Sequence, residues 1–250
     1  MVRILGERIQ TVLFDKDGTL IDLPSIWLPW LYDIEAYLAQ SKAAGKLGRE
    51  ELERAFGVQG EPPRIEPTGP LAMASIEESK TIVAYLLYRL GIAWDAAVLL
   101  AAESVGYANK RQTRSNTVRP VAGVKEFLQT LRAYGVKLGV LTADDTHKAR
   151  QHLEVCGLLK YFDFVIGGDQ VQNGKPHPDM AFLARDRYGI DLEETIYIGD
   201  TNADMELGKR AGVKASIGLV TQGDAAVLRQ ADYIIHRYDQ LAVEYVRKEV

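Results

Sequence analysis

The sequence predicts an α/β protein, a doubly wound parallel sheet with an all-helical block inserted after its first strand. Three observations carry this expectation. From Pro120 onward, short apolar runs alternate with single helical segments, the pattern of strands buried on both faces and linked by crossover helices. Far upstream, 10-QTVLF-14 is one more run of that kind. A lone strand is unstable, so it belongs to the later sheet. The stretch between carries apolar residues at helical spacing instead.

The elements follow in order. Trp27, Leu28, Trp30, Leu31, Ile34 and Leu38 space a helix within 25–44, and 49-REELERAF-56 is a shorter one. The segment 57-GVQGEPPRIEPTGPLAM-73 holds four prolines and three glycines and reads as a loop. The capping-box pattern 75-SIEE-78 opens a helix to about Leu90, and another runs from Asp95 to about Gln112. Then come helix 123–135, strand 136–142, helix 145–155, strand 162–167, helix 178–188, strand 195–199, helix 202–211, strand 213–218 and a last strand at 232–235. The expected division is a Rossmann-like core of residues 1–22 and 119–250 around a helical insert of residues 23–118.

Bulk properties set limits on function. A chain of 250 residues can bury a sizeable core. Its 47% apolar and 26% charged residues fit an ordinary globular protein. A net charge of −4 argues against a nucleic-acid partner, which needs a broad basic face, but permits a small anion at a locally positive site. The single cysteine, Cys156, forbids an intrachain disulfide and suits a reducing compartment. Its setting, 153-LEVCGLL-159, reads as that of a small buried hydrophobe. The N-terminal MVRILGERIQ lacks the apolar run of a signal peptide. Residues 81–102 are broken by Arg89, Gly91 and Asp95 and read as two buried helices, not a membrane span. A cytoplasmic protein with no membrane partner is expected, and oligomeric state leaves no trace in the sequence.

Ligands of a doubly wound sheet bind beyond the carboxyl ends of its strands. The residues just after each strand are therefore the candidates. Asp15 and Asp17 follow the first, Thr142 the second, Lys175 the third, and Asp200 and Asp204 the fourth. Four carboxylates at one edge cannot all stay ionised without a cation, because like charges raise one another's pKa. Only oxygen ligands are on offer, which suits Mg²⁺ with a substrate phosphate completing its shell. Lys175 and Thr142 add a positive charge and a hydroxyl donor, a set that neutralises a phosphoryl group. The glycines beside Asp17 and at 167-GG-168 allow backbone amides to approach an oxyanion.

The segments FDKDGTLID, GVLTADD, GKPHPD and IGDTNAD, in this order, resemble the haloacid dehalogenase-like superfamily, and the insert resembles its helical cap. The branch they most resemble is the phosphoglycolate phosphatase-like group. The resemblance implies a Mg²⁺-dependent phosphatase acting on a small phosphorylated metabolite, phosphoglycolate-like or a sugar phosphate. Asp15 would be the nucleophile that forms an aspartyl-phosphate. Asp17 would be the general acid for the leaving alcohol and then the base for water. The metal would be held by Asp15, by the backbone carbonyl of Asp17 and by Asp200, with Asp204 behind them or acting through water. Thr142 and Lys175 would contact the phosphoryl group, with Gly18, Thr19 and the backbone of Ala143 completing the substrate site. Relatives in this branch often carry Asn where Ala143 stands, so one side-chain hydrogen bond is missing here.

Blander readings compete at each position. Asp-x-Asp-Gly is a common turn, and 199-GDTNAD-204 supplies an N-cap for the helix after it. These readings account for each motif singly but not for their joint occurrence at four strand ends. Phosphomutase chemistry or a non-catalytic phospho-ligand-binding regulator are the alternatives. His147, His152, His177 and His236 share no metal-ligand spacing and read as surface or helix-end residues. Trp27 and Trp30 read as core of the insert. The run 168-GDQVQNGKP-176 fails as a phosphate loop, with five residues between its glycines and Pro176 in place of Ser or Thr. Arg64, Thr68 and Arg119 are candidate selectors of substrate. Lys16 is expected to point away from Asp15 by strand alternation and is given no catalytic role.

Overall fold

The computed structural model describes residues 2–112, 117–221 and 228–245. Along the chain the strands and helices are β1 (Val2–Ile4), β2 (Glu7–Ile9), β3 (Thr11–Phe14), α1 (Leu23–Leu38), α2 (Arg49–Ala55), β4 (Val58–Gln59), β5 (Arg64–Ile65), α3 (Pro70–Met73), α4 (Ile76–Arg89) and α5 (Trp94–Gln112). There follow α6 (Val124–Ala133), β6 (Lys137–Leu141), α7 (Thr146–Val155), β7 (Phe164–Ile166), α8 (Asp179–Tyr188), β8 (Thr195–Gly199), α9 (Asn202–Ala211), β9 (Ala215–Leu219), β10 (Tyr233–Ile235) and β11 (Val243–Tyr245). Two compact units result, the described residues of Met1–Asp22 with Arg119–Val250, and those of Leu23–Val118.

The first unit is built on a six-stranded sheet of order β10-β9-β8-β3-β6-β7, every neighbouring pair parallel. Its central strands β3, β8 and β9 are buried at every residue. That is why they are continuous apolar runs and not alternating ones. One face packs Leu13, Leu141, Phe164, Ile166 and Tyr197 against Met180, Ala181 and Ala184 of α8 and Leu207 of α9. Strand β3 lies between β8 and β6, so the first strand of the chain joins the middle of a sheet made mostly from the last hundred residues.

A second, three-stranded antiparallel sheet of order β11-β1-β2 was not foreseen from the sequence. The β1–β2 hairpin turns through Leu5 at φ 52° and Gly6 at φ 82°, both left-handed as a two-residue hairpin turn of this hand requires.

The helical unit has its own core of Trp30, Leu31, Ile34 and Leu38 from α1, Val83 and Leu87 from α4, and Ala97, Ala101 and Val105 from α5. The small residues of α5 let its neighbours approach. The buried Trp30 indole donates to Asn109 Oδ1 at 2.7 Å and meets Trp27 and Phe56 edge to face. Two sequence expectations need correction. The proline-rich segment contains the short antiparallel pair β4–β5, with Val58 opposite Ile65, so the insert is not purely helical. Helices α4 and α5 are not buried all round: Tyr85, Tyr88, Trp94 and Leu99 are exposed. Among the described residues, no helix is long and apolar enough to cross a membrane.

Candidate active site

The register of the central strands brings the motif residues to one edge. Phe14 of β3 lies opposite Val140 of β6 and Ile198 of β8. The three chains thus leave the sheet at one level, just before Asp15, Thr142 and Asp200. Strand β7, with Ile166 opposite Leu141, delivers the loop that carries Lys175.

On the β8 side, Lys175 Nζ stands between two carboxylates. It is ion-paired with Asp15 Oδ1 and lies 2.7 Å from Asp204 Oδ1. Asp204 is held from every side. Tyr197 Oη donates to its Oδ1 at 2.8 Å, and the Thr201 hydroxyl and backbone N–H donate to its Oδ2 at 2.6 and 3.0 Å. Asp204 and Thr201 also form the capping box of α9, so the N-cap reading of this segment holds. Asp200 receives the Thr19 hydroxyl at 3.2 Å. Gly18, at φ 82°, lets Asp200 come close, because a Cβ there would fall 1.9 Å from Asp200 Oδ2.

Asp15, Asp200 and Asp204 offer carboxylate oxygens within 4.8 Å of one another, a group that can hold a metal ion. One lysine serves three acids. Burial first, then the like charges of Asp204 and Asp17, push Asp15 up to about 7 against the pull of Lys175. Burial, with Asp15 and Asp204, pushes Asp200 well above the usual carboxylate range. Burial opposes ionisation of Asp204 too, but Lys175 and the hydrogen bonds from Thr201 and Tyr197 outweigh it and hold that carboxyl low. The unbalanced negative charge and the hard oxygen donors fit a small divalent cation.

On the β6 side a second lysine does the same between two other aspartates. Lys16, with no exposed surface, pairs with Asp17 Oδ1 and lies 3.0 Å from Asp144 Oδ2. Lys148 Nζ lies 3.7 Å from Asp144 Oδ1, and His152 Nδ1 lies 3.5 Å from Lys16 Nζ. Burial would raise Asp144, but Lys16 and Lys148 overcome it and bring the carboxyl down to about 2. Burial, helped by Lys16, takes His152 down to about 3, so its ring is neutral. Burial raises Asp17, and Lys16 offsets this only in part.

The other candidates fall as follows. Thr142 is buried; its N–H donates to Ile166 O at 3.0 Å, and its hydroxyl accepts the Asp144 N–H at 3.2 Å. Ala143 is exposed. Gly18 N–H is engaged by Ile21 O at 2.8 Å, and the buried Thr19 presents its hydroxyl to Asp200. The carboxylate of Asp17 lies outside the three-acid group. Arg64, Thr68 and Arg119 are exposed. His152 lies at the end of α7, one of the two positions expected of it, and is buried there; one expectation is corrected, since Cys156 is only half-buried. Lys16 does turn from Asp15, but into a charged cluster that the sequence reading did not anticipate. Tyr197, Asp144 and His152 were missed as parts of the site. A tyrosine between the isoleucines of β8 and the paired aspartates that follow Ala143 were the available signals.

A model of the haloacid dehalogenase-like hydrolase family matches residues 12–217. The chain belongs to that family. It is 31% identical over 236 residues to pyrophosphatase PpaX of Halalkalibacterium halodurans, covering 93% of this chain and 95% of that protein. It is 32% identical over 244 residues to phosphoglycolate phosphatase of Shigella boydii, covering 94% and 92%. The fold is shared with a subfamily IA hydrolase of the superfamily from Geobacter sulfurreducens, at a TM-score of 0.65 and 20% identity over 94% of this chain and 95% of that one. The chain is therefore a hydrolase of the phosphatase branch of this family, with the helical cap of subfamily I.

Proposed function

We propose that the chain is a Mg²⁺-dependent phosphatase that hydrolyses a small phosphomonoester through an aspartyl-phosphate on Asp15. The observation that carries this is the meeting of Asp15, Lys175, Asp200 and Asp204 at one sheet edge. A carboxylate oxygen of Asp15 attacks phosphorus, and the bond from phosphorus to the ester oxygen breaks. Asp17 gives its proton to the departing alkoxide. Water then attacks the phosphorus of the aspartyl-phosphate and loses a proton to Asp17. The Asp15–phosphorus bond breaks and inorganic phosphate leaves.

Lys175 supplies fixed positive charge beside the nucleophile, where negative charge gathers on the phosphoryl oxygens. Thr142, the backbone of Ala143 and the loop of Gly18 and Thr19 would complete the phosphoryl site, although the Gly18 N–H is itself held by Ile21 O. Asp15, Asp200 and the Asp17 carbonyl would hold Mg²⁺, with Asp204, already taken up by Lys175, Tyr197 and Thr201, acting behind them or through water. Bound there, the ion would screen the phosphate from the carboxylates and polarise it. The names of the relatives set the substrate range worth testing, from phosphoglycolate to pyrophosphate.

The test is phosphate release by the purified full chain from phosphoglycolate, several sugar phosphates and pyrophosphate, ranked by kcat/KM. Turnover with Mg²⁺ that stops on chelation and returns on adding the ion is expected. Sugar-phosphate isomerisation without phosphate release would instead make the chain a phosphomutase, and turnover that survives chelation would remove the metal.

A further inference from the structure

We propose that Lys16 is a positioning residue that holds the Asp17 carboxylate for its work on the leaving group, and that Asp144 and His152 anchor Lys16 in turn. The inference rests on the reading of Asp17 as acid and base. It concerns residues on the β6 side of the loop, away from the three-acid group.

Lys16 is an unusual core residue: its side chain is 0% exposed. An ammonium without water is costly unless it is paired, and even a paired one is often no more stabilising than an apolar side chain of the same volume. An apolar residue would fill this place in the core without that cost. The charge therefore has to be explained by what it touches. Its Nζ meets three groups: the Asp17 carboxylate, Asp144 Oδ2 at 3.0 Å and His152 Nδ1 at 3.5 Å.

Two of these partners come from the β6–α7 side, and the third is the next residue in the chain. Asp144 sits in the loop between β6 and α7, with Lys148 3.7 Å from its other oxygen. His152 is 1% exposed on α7 and 3.8 Å from Asp144. Asp17 reaches the ammonium from the loop after β3, and its side chain is 20% exposed against 0% for Lys16. The β6–α7 loop and α7 thus hold the ammonium, and the ammonium holds the carboxylate. A carboxylate held at a set place is already oriented for a proton transfer, and loss of that orientation costs rate without removing any reacting group.

The experiment compares an alkyl phosphomonoester with p-nitrophenyl phosphate in the full-length protein with Mg²⁺. An alkoxide needs a proton to leave and p-nitrophenolate does not. kcat/KM reports only the steps through the first irreversible transfer, so hydrolysis of the aspartyl-phosphate does not blur the comparison. Lys16→Met is expected to lower kcat/KM for the alkyl ester by about 10-fold more than for the aryl ester, part of the roughly 10²–10⁴-fold a placed acid supplies. Asp144→Asn keeps the ammonium and loosens its anchor, so it should shift the same ratio in the same direction by less. In an Asp17→Asn background, Lys16→Met should cost nothing further, since it acts through a group already removed.

Equal losses on both esters, or a full additional loss in the Asp17→Asn background, would overturn the proposal. Should Lys16→Met fail to fold, an unchanged ester ratio in Asp144→Asn overturns it equally. Should Asp17→Asn itself keep full turnover on alkyl esters, the role of Asp17 in the proposed function falls, which is a separate result.

Discussion

Two lysines each stand between two aspartates, one on either side of strand β3. Lys175 bridges Asp15 and Asp204 on the β8 side, and Lys16 bridges Asp17 and Asp144 on the β6 side. They look alike in a list of contacts but differ in what is left over. Beside Lys175 a third acid, Asp200, has no cation of its own among the described residues, and both Asp200 and Asp15 are pushed above the ordinary carboxylate range. Beside Lys16 a second cation, Lys148, stands near Asp144, and that carboxyl is held low. The first cluster has room in its charge for a metal ion and a phosphoryl group, whereas the second is closed. Chemical capacity here lies in the imbalance of charge, not in its amount.

The largest effect should come from the unbalanced side. Asp15→Asn removes the proposed nucleophile and leaves the Lys16 bridge intact, so phosphate release should fall on the order of 10⁴-fold or more while the protein stays folded. Retained turnover in that variant would erase the distinction between the two sides.

A second effect separates the clusters by sign in a chelator-treated protein. Asp15 has a carboxyl at 3.8 when free and about 7 when folded. The folded chain therefore binds its proton more tightly, and this contribution to stability is lost as pH rises from about 4 to about 7. His152 goes the other way, from 6.5 to about 3. Its contribution is present above about pH 6.5 and is lost as pH falls towards 3. Denaturant midpoints across pH should show the falling limb, to which Asp200 and Asp17 also contribute, become shallower in Asp15→Asn, and the rising limb, to which Asp144 and Asp204 also contribute, become shallower in His152→Gln. Saturating Mg²⁺, which favours ionised Asp15, should abolish the falling limb alone. If Asp15→Asn leaves the slope unchanged, burial is not raising that carboxyl.

The smallest effect concerns the ties on Asp204. Thr201→Ala removes both a helix cap and a donor to Asp204 Oδ2, and should cost about 1 kcal/mol by denaturant midpoint, with a modest loss of turnover beside it. Unchanged stability would mean that the Thr201 hydroxyl does not set that carboxylate.

What was legible in the sequence follows the range of the forces involved. Strand β8 and helix α9 were readable to the residue, because a fully buried strand is a continuous apolar run and Thr201 is a strong cap. The α/β alternation was readable for the same reason. Strands β1, β2 and β11 were not: each is only three residues, and β1 finds one of its partners near the far end of the chain. The Leu5-Gly6 turn gave no help, since leucine is a rare residue at a left-handed position. The burial of His152 and Lys16 was hidden as well. Each reads locally as polar, and what permits their burial is a partner that lies 136 positions away in the chain.

Strand β3 has one more consequence, for how the protein is made. Thr11 pairs with Lys137 on one side and Thr195 on the other. The segment that leads into Asp15 therefore leaves the ribosome before both of its sheet partners, and it cannot be paired on both edges until β8 has followed. The helical unit, Leu23–Val118, is complete long before. During synthesis one unit has all its residues while the apolar strand ahead of it waits unpaired, a segment for a chaperone to shield. The strand that leads into Asp15 is thus made before either of the neighbours that cover its edges.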